Sequence, residues 1–228
     1  MNVMRVPTVL TLAGAYSATL LAAVAILLLA PGALPTAGAD CPDAELVFAR
    51  GRHEPFGAGR IGDALYSALR ARTDKNVTLY GVNYPADTQI DIGANDMSQH
   101  VQNMAAGCPN TKIVLGGYSL GAASTDMVLA MPNPVMGFKK PLPPSAAPHV
   151  AAVALFGNGT QWVGSIGGAS PAFAGKIVEM CHTDDPICNV TPNVNTFVSN
   201  WSDHLQPAYI DSGMVNQAAD FVAARING

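Results

Sequence analysis

The stretch "TKIVLGGYSLGAASTDMVLAM" (111–131) joins an almost continuous apolar run to an alanine-rich run through a short turn. Its first part, 111–118, is typical of a β-strand buried on both faces of a parallel sheet. Its second part, 121–131, favours an α-helix that ends before Pro132. The pattern therefore predicts a strand, a sharp turn at Ser119 and a helix.

Gly117 and Gly121 flank Ser119 in the spacing G-x-S-x-G. At a strand-to-helix junction this spacing is typical of a nucleophile elbow, a strained turn that projects the serine hydroxyl above the sheet. Glycine is favoured on both sides because a side chain there would collide with the adjoining strand and helix. The N-terminus of the helix is suited to a developing oxyanion. We interpret Ser119 as a candidate nucleophile; the alternative is a glycine-rich turn in a non-catalytic protein.

Apolar runs and segments of helical period alternate along the rest of the chain, which predicts a parallel sheet with crossover helices. The other predicted strands are 44–50, 77–84, 149–158 and 176–181, and the other predicted helices are 60–72, 92–107 and 214–226. We expect 132–148 to be an ordered loop and 182–212 to be irregular. No linker divides 40–228, so we predict one compact α/β domain.

The N-terminal part of the chain has the features of a targeting segment. Arg5 lies in a short n-region, 18–30 is an apolar h-region, and "AGA" (37–39) supplies small residues at a cleavage site. We predict that 1–39 is a signal peptide cleaved near Ala39, and that the product is secreted. The alternative is a retained membrane anchor, since the apolar stretch is long for a signal peptide.

Composition limits the classes of partner. The formal net charge is -4 and only 12% of residues are charged, with no cluster of Lys and Arg that would bind phosphates along a nucleic acid. The cysteine spacing does not resemble a zinc site. We therefore expect no nucleic acid, no metal and no cofactor, and we expect a monomer.

A serine nucleophile needs a general base, and the order Ser, acid, His is usual in α/β-hydrolases. The histidines after Ser119 are His149, His182 and His204. The first precedes every later acid, and the second leaves no room for the acid to come first. His204, between the irregular segment and the last helix, is the candidate base.

The candidate acids lie in "CHTDDPIC" (181–188), a short loop after a predicted strand. Asp184 and Asp185 both fit, because a loop closed by its own cysteine pair would hold a carboxylate in register with the base. A simple Asp-Pro turn is the alternative interpretation. Asp203, next to His204, is interpreted as a solvated neighbour.

Six segments together resemble the cutinase family of secreted serine esterases, in particular its mycobacterial members. They are "VFARG" (47–51), "YGVNYPA" (80–86), "GGYSLGAA" (116–123), "ALFGN" (154–158), "CHTDDPIC" (181–188) and "HLQPAYIDSGMVNQAADFVAARI" (204–226). The resemblance implies a compact α/β-hydrolase with a central five-stranded parallel sheet flanked by helices and no full lid. It also implies carboxylic ester substrates, from short soluble esters to cutin-like or lipid esters. The family's acid stands four residues after the first loop cysteine, which here is Asp185.

The four cysteines can pair in three ways, and an oxidising compartment favours pairing over free thiols. We predict Cys41–Cys108 and Cys181–Cys188. The resemblance implies the same pairing.

Three departures from the family pattern bear on the chemistry. The candidate oxyanion donors are the backbone N–H groups of Leu120 and Arg52, but the family usually has Ser or Thr at position 52 and often Gln at position 120. Losing the hydroxyl predicts either a weakened esterase or an arginine that recruits an anionic head group. The third departure is a long acid-to-base interval, 186–203, which we expect to form a mobile flap with Phe197 and Trp201 in transient contact with lipid.

The sequence thus predicts a secreted serine esterase that forms an acyl-enzyme on Ser119 and acts on short to medium acyl chains or lipid esters. The alternatives are a phospholipase or thioesterase on the same machinery, or a catalytically weakened cell-envelope binding protein. Met136, Phe138 and Leu142 are candidates for an acyl groove, with ordinary loop packing as the other interpretation.

Overall fold

The computed structural model describes residues 41–163, 170–189 and 193–228. The predicted signal peptide, 1–39, lies outside these residues. In the part that the structure describes, no helix is both long and apolar enough to cross a bilayer.

A parallel sheet forms the centre of the described chain, and all the predicted strands are confirmed. In spatial order its five strands run β2, β1, β3, β4, β5. Their bounds are β1 (Ala44–Ala49), β2 (Val77–Gly81), β3 (Lys112–Tyr118), β4 (Val150–Phe156) and β5 (Ile177–Met180). Strand β2 ends three residues earlier than predicted, at Gly81, where the backbone of Gly57 packs directly against it.

Four long helices cover the two faces of this sheet and confirm the helical predictions: α1 (Gly59–Arg70), α2 (Ile90–Gly107), α3 (Leu120–Ala130) and α7 (Met214–Asn227). Side chains alternate along a strand, so Leu46 and Phe48 of β1 pack with α1 and α7 on one face. Val47 and Ala49 pack with α2 and α3 on the other. Strands buried on both faces explain the nearly continuous apolar runs in the sequence.

The prediction of an irregular segment at 182–212 was wrong for its second half. The chain there forms α4 (Val194–Ser199), α5 (Trp201–His204) and α6 (Gln206–Asp211). Helices of four to six residues are too short to show a clear helical period in the sequence. The side chain of Asn193 caps α4 by accepting hydrogen bonds from the backbone N–H groups of Asn195 (2.9 Å) and Thr196 (3.4 Å).

Both predicted disulfides are present. Cys41–Cys108 ties the chain before β1 to the end of α2, and Cys181–Cys188 closes the loop that follows β5. The loop 132–148 has the predicted character: it contains one isolated bridge between Val135 and Phe138, and a short 3-10 turn begins only at its end.

Candidate active site

Ser119 occupies a sharp turn between β3 and α3. Its backbone angles, φ 54° and ψ -116°, belong to neither a strand nor a helix and are rarely adopted by residues other than glycine. Its N–H donates to the carbonyl oxygen of Phe156 at 2.9 Å, which ties the turn to the end of β4. The hydroxyl is thereby presented at the carboxyl edge of the parallel sheet.

The two glycines of the motif are required by close packing. A Cβ on Gly117 would lie 2.4 Å from the carbonyl oxygen of Gly121, and a Cβ on Gly121 would lie 2.0 Å from the carbonyl oxygen of Ala49. Both distances are far below van der Waals contact, so the turn exists only because neither position has a side chain.

The structure brings the predicted serine, histidine and acid together. Nε2 of His204 lies 2.8 Å from Oγ of Ser119, and Nδ1 of His204 lies 2.8 Å from Oδ2 of Asp185. With its proton on Nδ1, the imidazole donates to the carboxylate and accepts from the serine hydroxyl. The three side chains form one continuous hydrogen-bonded chain.

Asp185 is fully buried, whereas its neighbour Asp184 is exposed. Burial alone would raise the pKa of Asp185, but hydrogen bonds from His204 and Tyr209 and the N–H of Ile187 hold that pKa below its ordinary value. The carboxylate is therefore ionised at neutral pH. Of the two candidate acids, the structure places Asp185 against the histidine.

The other histidines considered as bases do not contact Ser119. His149 precedes β4, at the opposite edge of the sheet. Nδ1 of His182 lies 3.3 Å from Oδ1 of Asp203, so this aspartate faces a second histidine.

A cavity of about 640 Å³ opens over Ser119. Both candidate oxyanion residues, Leu120 and Arg52, line it. Neither of their N–H groups donates a hydrogen bond within the described chain, so both are available to a ligand. Trp201 lines the same cavity, and its ring lies 5.3 Å from that of His204.

For the three candidate acyl-groove residues, the structure favours the alternative interpretation of ordinary loop packing. None of Met136, Phe138 and Leu142 is among the described residues that line the cavity over Ser119. Phe138 is buried in the core and Met136 is exposed. Leu142 lines a separate apolar cavity of about 510 Å³ that also contains Met131. Met131 follows the far end of α3, about 18 Å along the helix axis from the serine.

The loop that carries Arg52 is held by a buried arginine that the sequence analysis missed. The Arg50 guanidinium donates to the carbonyl oxygens of Glu54 (2.8 Å), Val82 (3.3 Å) and Tyr84 (2.6 Å). Its own carbonyl accepts from the Tyr84 hydroxyl. The sequence offered one signal for this role: Arg50 is a charged residue at the end of the apolar strand motif "VFARG" (47–51).

The Glu54 side chain gives the same loop a second support. Its carboxylate accepts from the N–H of Gly51 at 2.6 Å and from the N–H of Arg60, near the start of α1, at 3.0 Å. The carboxylate therefore ties both ends of the loop to one side chain.

Two tyrosines beside the triad were also missed. The Tyr118 hydroxyl donates to the carbonyl oxygen of His204, and the Tyr209 hydroxyl donates to Oδ2 of Asp185. Nothing in the local pattern distinguishes these tyrosines from core residues, because their partners lie far away in the sequence.

A parallel sheet with a serine elbow at its carboxyl edge, facing a histidine and an aspartate, defines the α/β-hydrolase class of folds. A sequence profile described as Cutinase matches residues 40–226. This chain belongs to the cutinase family.

Two relatives from Mycobacterium tuberculosis (strain ATCC 25618 / H37Rv) place the chain more narrowly. It is 60% identical to "Probable carboxylesterase Culp2" over 196 residues, covering 86% of this chain and 85% of that protein. It is 50% identical to "Phospholipase Culp4" over 208 residues, covering 90% and 88%.

Among solved structures, the fold matches the catalytic core domain of acetyl xylan esterase from Trichoderma reesei, with a TM-score of 0.65 and 21% identity. The match covers 82% of this chain and 100% of that one. A cutinase-like protein from Cryptococcus sp. matches with a TM-score of 0.62 and 21% identity, covering 83% and 98%. These likenesses support the α/β fold.

Proposed function

We propose that this chain is a secreted carboxylic ester hydrolase whose nucleophile, base and acid are Ser119, His204 and Asp185. The observation that carries the proposal is the unbroken hydrogen-bonded chain from the serine hydroxyl through the imidazole to a buried, ionised carboxylate. Its relatives named carboxylesterase and phospholipase support ester hydrolysis as the reaction.

In the first half of the reaction, the Ser119 oxygen attacks the ester carbonyl while Nε2 of His204 takes the hydroxyl proton. The carbonyl oxygen becomes an oxyanion, which in this proposal accepts hydrogen bonds from the N–H groups of Leu120 and Arg52. The C–O bond to the alcohol then breaks, and the imidazolium returns its proton to the departing oxygen. The acyl group remains on the serine.

In the second half, water attacks the acyl-enzyme and His204 again takes the proton. The carboxylic acid leaves and the serine hydroxyl is restored. Asp185 keeps the imidazole in the Nδ1-protonated tautomer and stabilises the imidazolium in both halves, without itself taking a proton.

A fluorophosphonate probe tests this proposal against the alternative of an inactive binding protein. We expect the probe to label the wild-type chain at Ser119 and to leave Ser119→Ala unlabelled. The matched control is Ser202→Ala, which removes an exposed hydroxyl near the histidine and should label normally. Hydrolysis of p-nitrophenyl butyrate should fall about 10⁶-fold in Ser119→Ala. An unlabelled wild-type chain would favour the binding protein.

A second candidate is a substrate that carries negative charge. A cavity of about 380 Å³ adjoins the cavity over Ser119; Arg52 and His53 line both, and Arg60 lines the adjoining one. The relative named phospholipase supports a phosphate-bearing ester. Two guanidinium groups are suited to such an anion, although the carboxylates of Glu54 and Asp63 line the same cavity and offset much of their charge.

Esters matched in acyl chain, one neutral and one phosphate-bearing, separate an anion site from a weakened oxyanion hole. An anion site predicts that Arg52→Gln raises KM for the phosphate ester alone, while the exposed control Arg70→Gln changes neither ester. A weakened hole predicts that Arg52→Thr raises kcat for the neutral ester. In the same panel, a thioester tests for thioesterase activity, and esters of different chain lengths define the acyl preference.

Secretion is proposed together with the activity. Both disulfides lie in the described chain and leave no free cysteine, which suits an oxidising compartment. N-terminal sequencing of the exported protein should begin at Asp40 or close to it. A mature chain that still contains Leu27 would support the retained anchor instead.

A further inference from the structure

The carboxylate of Asp185 is fully satisfied by four hydrogen bonds. Oδ2 accepts from Nδ1 of His204 at 2.8 Å and from the Tyr209 hydroxyl. Oδ1 accepts from the N–H groups of Ile187 at 2.7 Å and Cys188 at 3.4 Å. The histidine therefore shares its oxygen with a second donor, a phenol.

The phenol belongs to a residue on a separate element. Tyr209 lies on α6 and is fully buried, and its hydroxyl also accepts from the backbone N–H of His182 at 3.3 Å. It therefore connects α6 to the 181–188 loop at two points. One of those points is the oxygen that holds the candidate base.

Gly157 lies next to this oxygen and leaves space there because it has no side chain. Gly157 has φ +55°, and a Cβ there would lie 3.0 Å from the Tyr209 hydroxyl, 3.0 Å from Cε1 of His204 and 3.1 Å from Oδ2 of Asp185. The chain thus leaves room for three groups to meet at one point. A tyrosine that served only to fill the core would not need its hydroxyl beside the imidazole and the carboxylate.

A second tyrosine provides an internal comparison. Tyr118 precedes the serine, and its hydroxyl donates to the backbone carbonyl of His204, with the two rings 5.4 Å apart. Its ring also lies 6.0 Å from that of Tyr209. Both phenols are buried and both hold the acid–base pair, but one bonds a group that carries charge and the other bonds a neutral carbonyl.

We infer that Tyr209 is a positioning residue for the proposed reaction: its O–H fixes the orientation of the Asp185 carboxylate and offsets part of the negative charge on the oxygen that faces His204. This inference rests on the proposed function of the triad. The residue acts through Asp185 and does not touch the substrate.

The electrostatic part of this role has a definite sign. Burial and the adjacent carboxylate raise the pKa of Tyr209, so the phenol remains a donor throughout the working range of pH. Without that donor, more negative charge on Oδ2 faces the imidazole, which favours its protonated form. The base is then protonated, and inactive, up to a higher pH. In the described chain the other titratable or charged groups around the pair are Tyr118, His182 and Asp203, together with Arg52 and His53 in the cavity over Ser119.

The test compares three Tyr→Phe variants in the full disulfide-bonded chain, measured as kcat and KM for p-nitrophenyl butyrate across pH. Tyr209→Phe should lower kcat about tenfold with little change in KM, and should move the midpoint of the acid limb of kcat/KM to higher pH. Tyr118→Phe should lower kcat without moving that midpoint. Tyr66→Phe, which loses a hydroxyl bonded to the carbonyl of Val77 at the start of β2, should change neither.

His182→Gln keeps the backbone N–H but removes the other imidazole near the phenol, and the shift caused by Tyr209→Phe should persist in that background. Tyr209 replaced by 3-fluorotyrosine preserves the ring and makes the phenol a stronger donor, so the acid limb should move the opposite way. This second variant also covers the case in which Tyr209→Phe does not fold.

Two results would overturn the inference: a wild-type acid limb in both variants at position 209, or equal shifts in Tyr209→Phe and Tyr118→Phe. These outcomes are distinct from failure of the proposed function. If Ser119→Ala abolishes hydrolysis and the acid limb is indifferent to position 209, only the role of Tyr209 is rejected.

Discussion

Gly121 lies directly against the carbonyl oxygen of Ala49: a Cβ at position 121 would stand 2.0 Å from that oxygen. The last residue of β1 and the first turn of α3 are therefore packed backbone to backbone beneath the candidate nucleophile. We expect Gly121→Ala to displace the elbow and to lose nearly all esterase activity, with a large fall in unfolding free energy.

Gly107→Ala is the matched control for this change. Gly107 ends α2, and apart from its chain neighbours and the nearby backbone of its own helix, no heavy atom of the described chain lies within 4 Å of the position its Cβ would take. The same substitution there should keep full activity and leave stability unchanged or slightly higher. Urea denaturation and p-nitrophenyl butyrate hydrolysis, measured on both variants, check the pair; an active Gly121→Ala enzyme would contradict the packing argument.

The choice between the two adjacent aspartates gives a prediction about rate. Asp185→Asn should lower kcat about 10⁴-fold, because the amide no longer stabilises the correct tautomer of His204. Asp184→Asn, at an exposed position, should leave kcat near that of the wild type. A comparable fall in kcat in both variants would show that catalysis depends on the shape of the loop and not on the Asp185 carboxylate.

The lowered pKa of Asp185 also predicts how stability depends on pH. A carboxylate with a lowered folded-state pKa contributes stability above its unfolded pKa of about 3.9, and loses that contribution as pH falls through the folded-state pKa. The deficit of Asp185→Asn relative to the wild type should therefore be fully present at pH 7 and narrow below about pH 4. Urea denaturation across this range measures the deficit, and a constant gap would count against the ionised carboxylate.

The two disulfides should differ in what their loss affects. Cys41–Cys108 spans 67 residues, and its removal by the double change to Ser should cost about 4 kcal/mol of unfolding free energy. Cys181–Cys188 spans 7 residues, for which the same relation gives about 2 kcal/mol.

Removal of Cys181–Cys188 should cost less stability than removal of Cys41–Cys108 but should lower kcat more, because only the Cys181–Cys188 loop contains Asp185. We expect kcat to fall when this bridge is removed and to remain close to wild type, at temperatures where the protein is folded, when Cys41–Cys108 is removed. Denaturation curves and kcat on both double variants give the comparison. Equal falls in kcat would mean that the short loop keeps its shape without its bridge.

The buried Arg50 predicts a link between stability and the oxyanion loop. Arg50→Met leaves the carbonyls of Glu54, Val82 and Tyr84 without their donor, and should lower the unfolding free energy by about 3 kcal/mol or more. It should also lower kcat, because these bonds fix the loop that presents Arg52. Arg70→Met, at an exposed position, is the control, and denaturation with kinetics on both variants is the measurement.

Local chemistry explains which parts of the site could be predicted from the sequence. The elbow at Ser119 depends on residues within a few positions of one another, so its pattern is visible in the chain. His204 was found because the order of residues in the fold class excludes His149 and His182. Assigning Asp185 over Asp184 required the family resemblance.

The features that were missed depend on contacts between distant residues. Tyr209 meets Asp185 across 24 positions, and Tyr118 meets His204 across 86. No periodicity encodes which phenol lies beside a charged group, since a buried tyrosine is equally compatible with the core pattern. The choice between an acyl groove and ordinary loop packing at Leu142 stayed open for the same reason: apolar composition does not say which end of α3 a loop packs against.

The backbone angles of Ser119 favour stability and catalysis in opposite ways. A residue with a Cβ is strained at φ 54° and lowers the stability of the fold, whereas glycine adopts such angles freely but has no hydroxyl. Ser119→Gly should therefore be a more robust protein than Ser119→Ala, and even than the wild type, while being equally inert. In a lineage where selection for hydrolysis is relaxed, Ser119→Gly would abolish the activity and stabilise the fold at the same time. Loss of function by this route would therefore be easy to reach, and its reversal would lower stability.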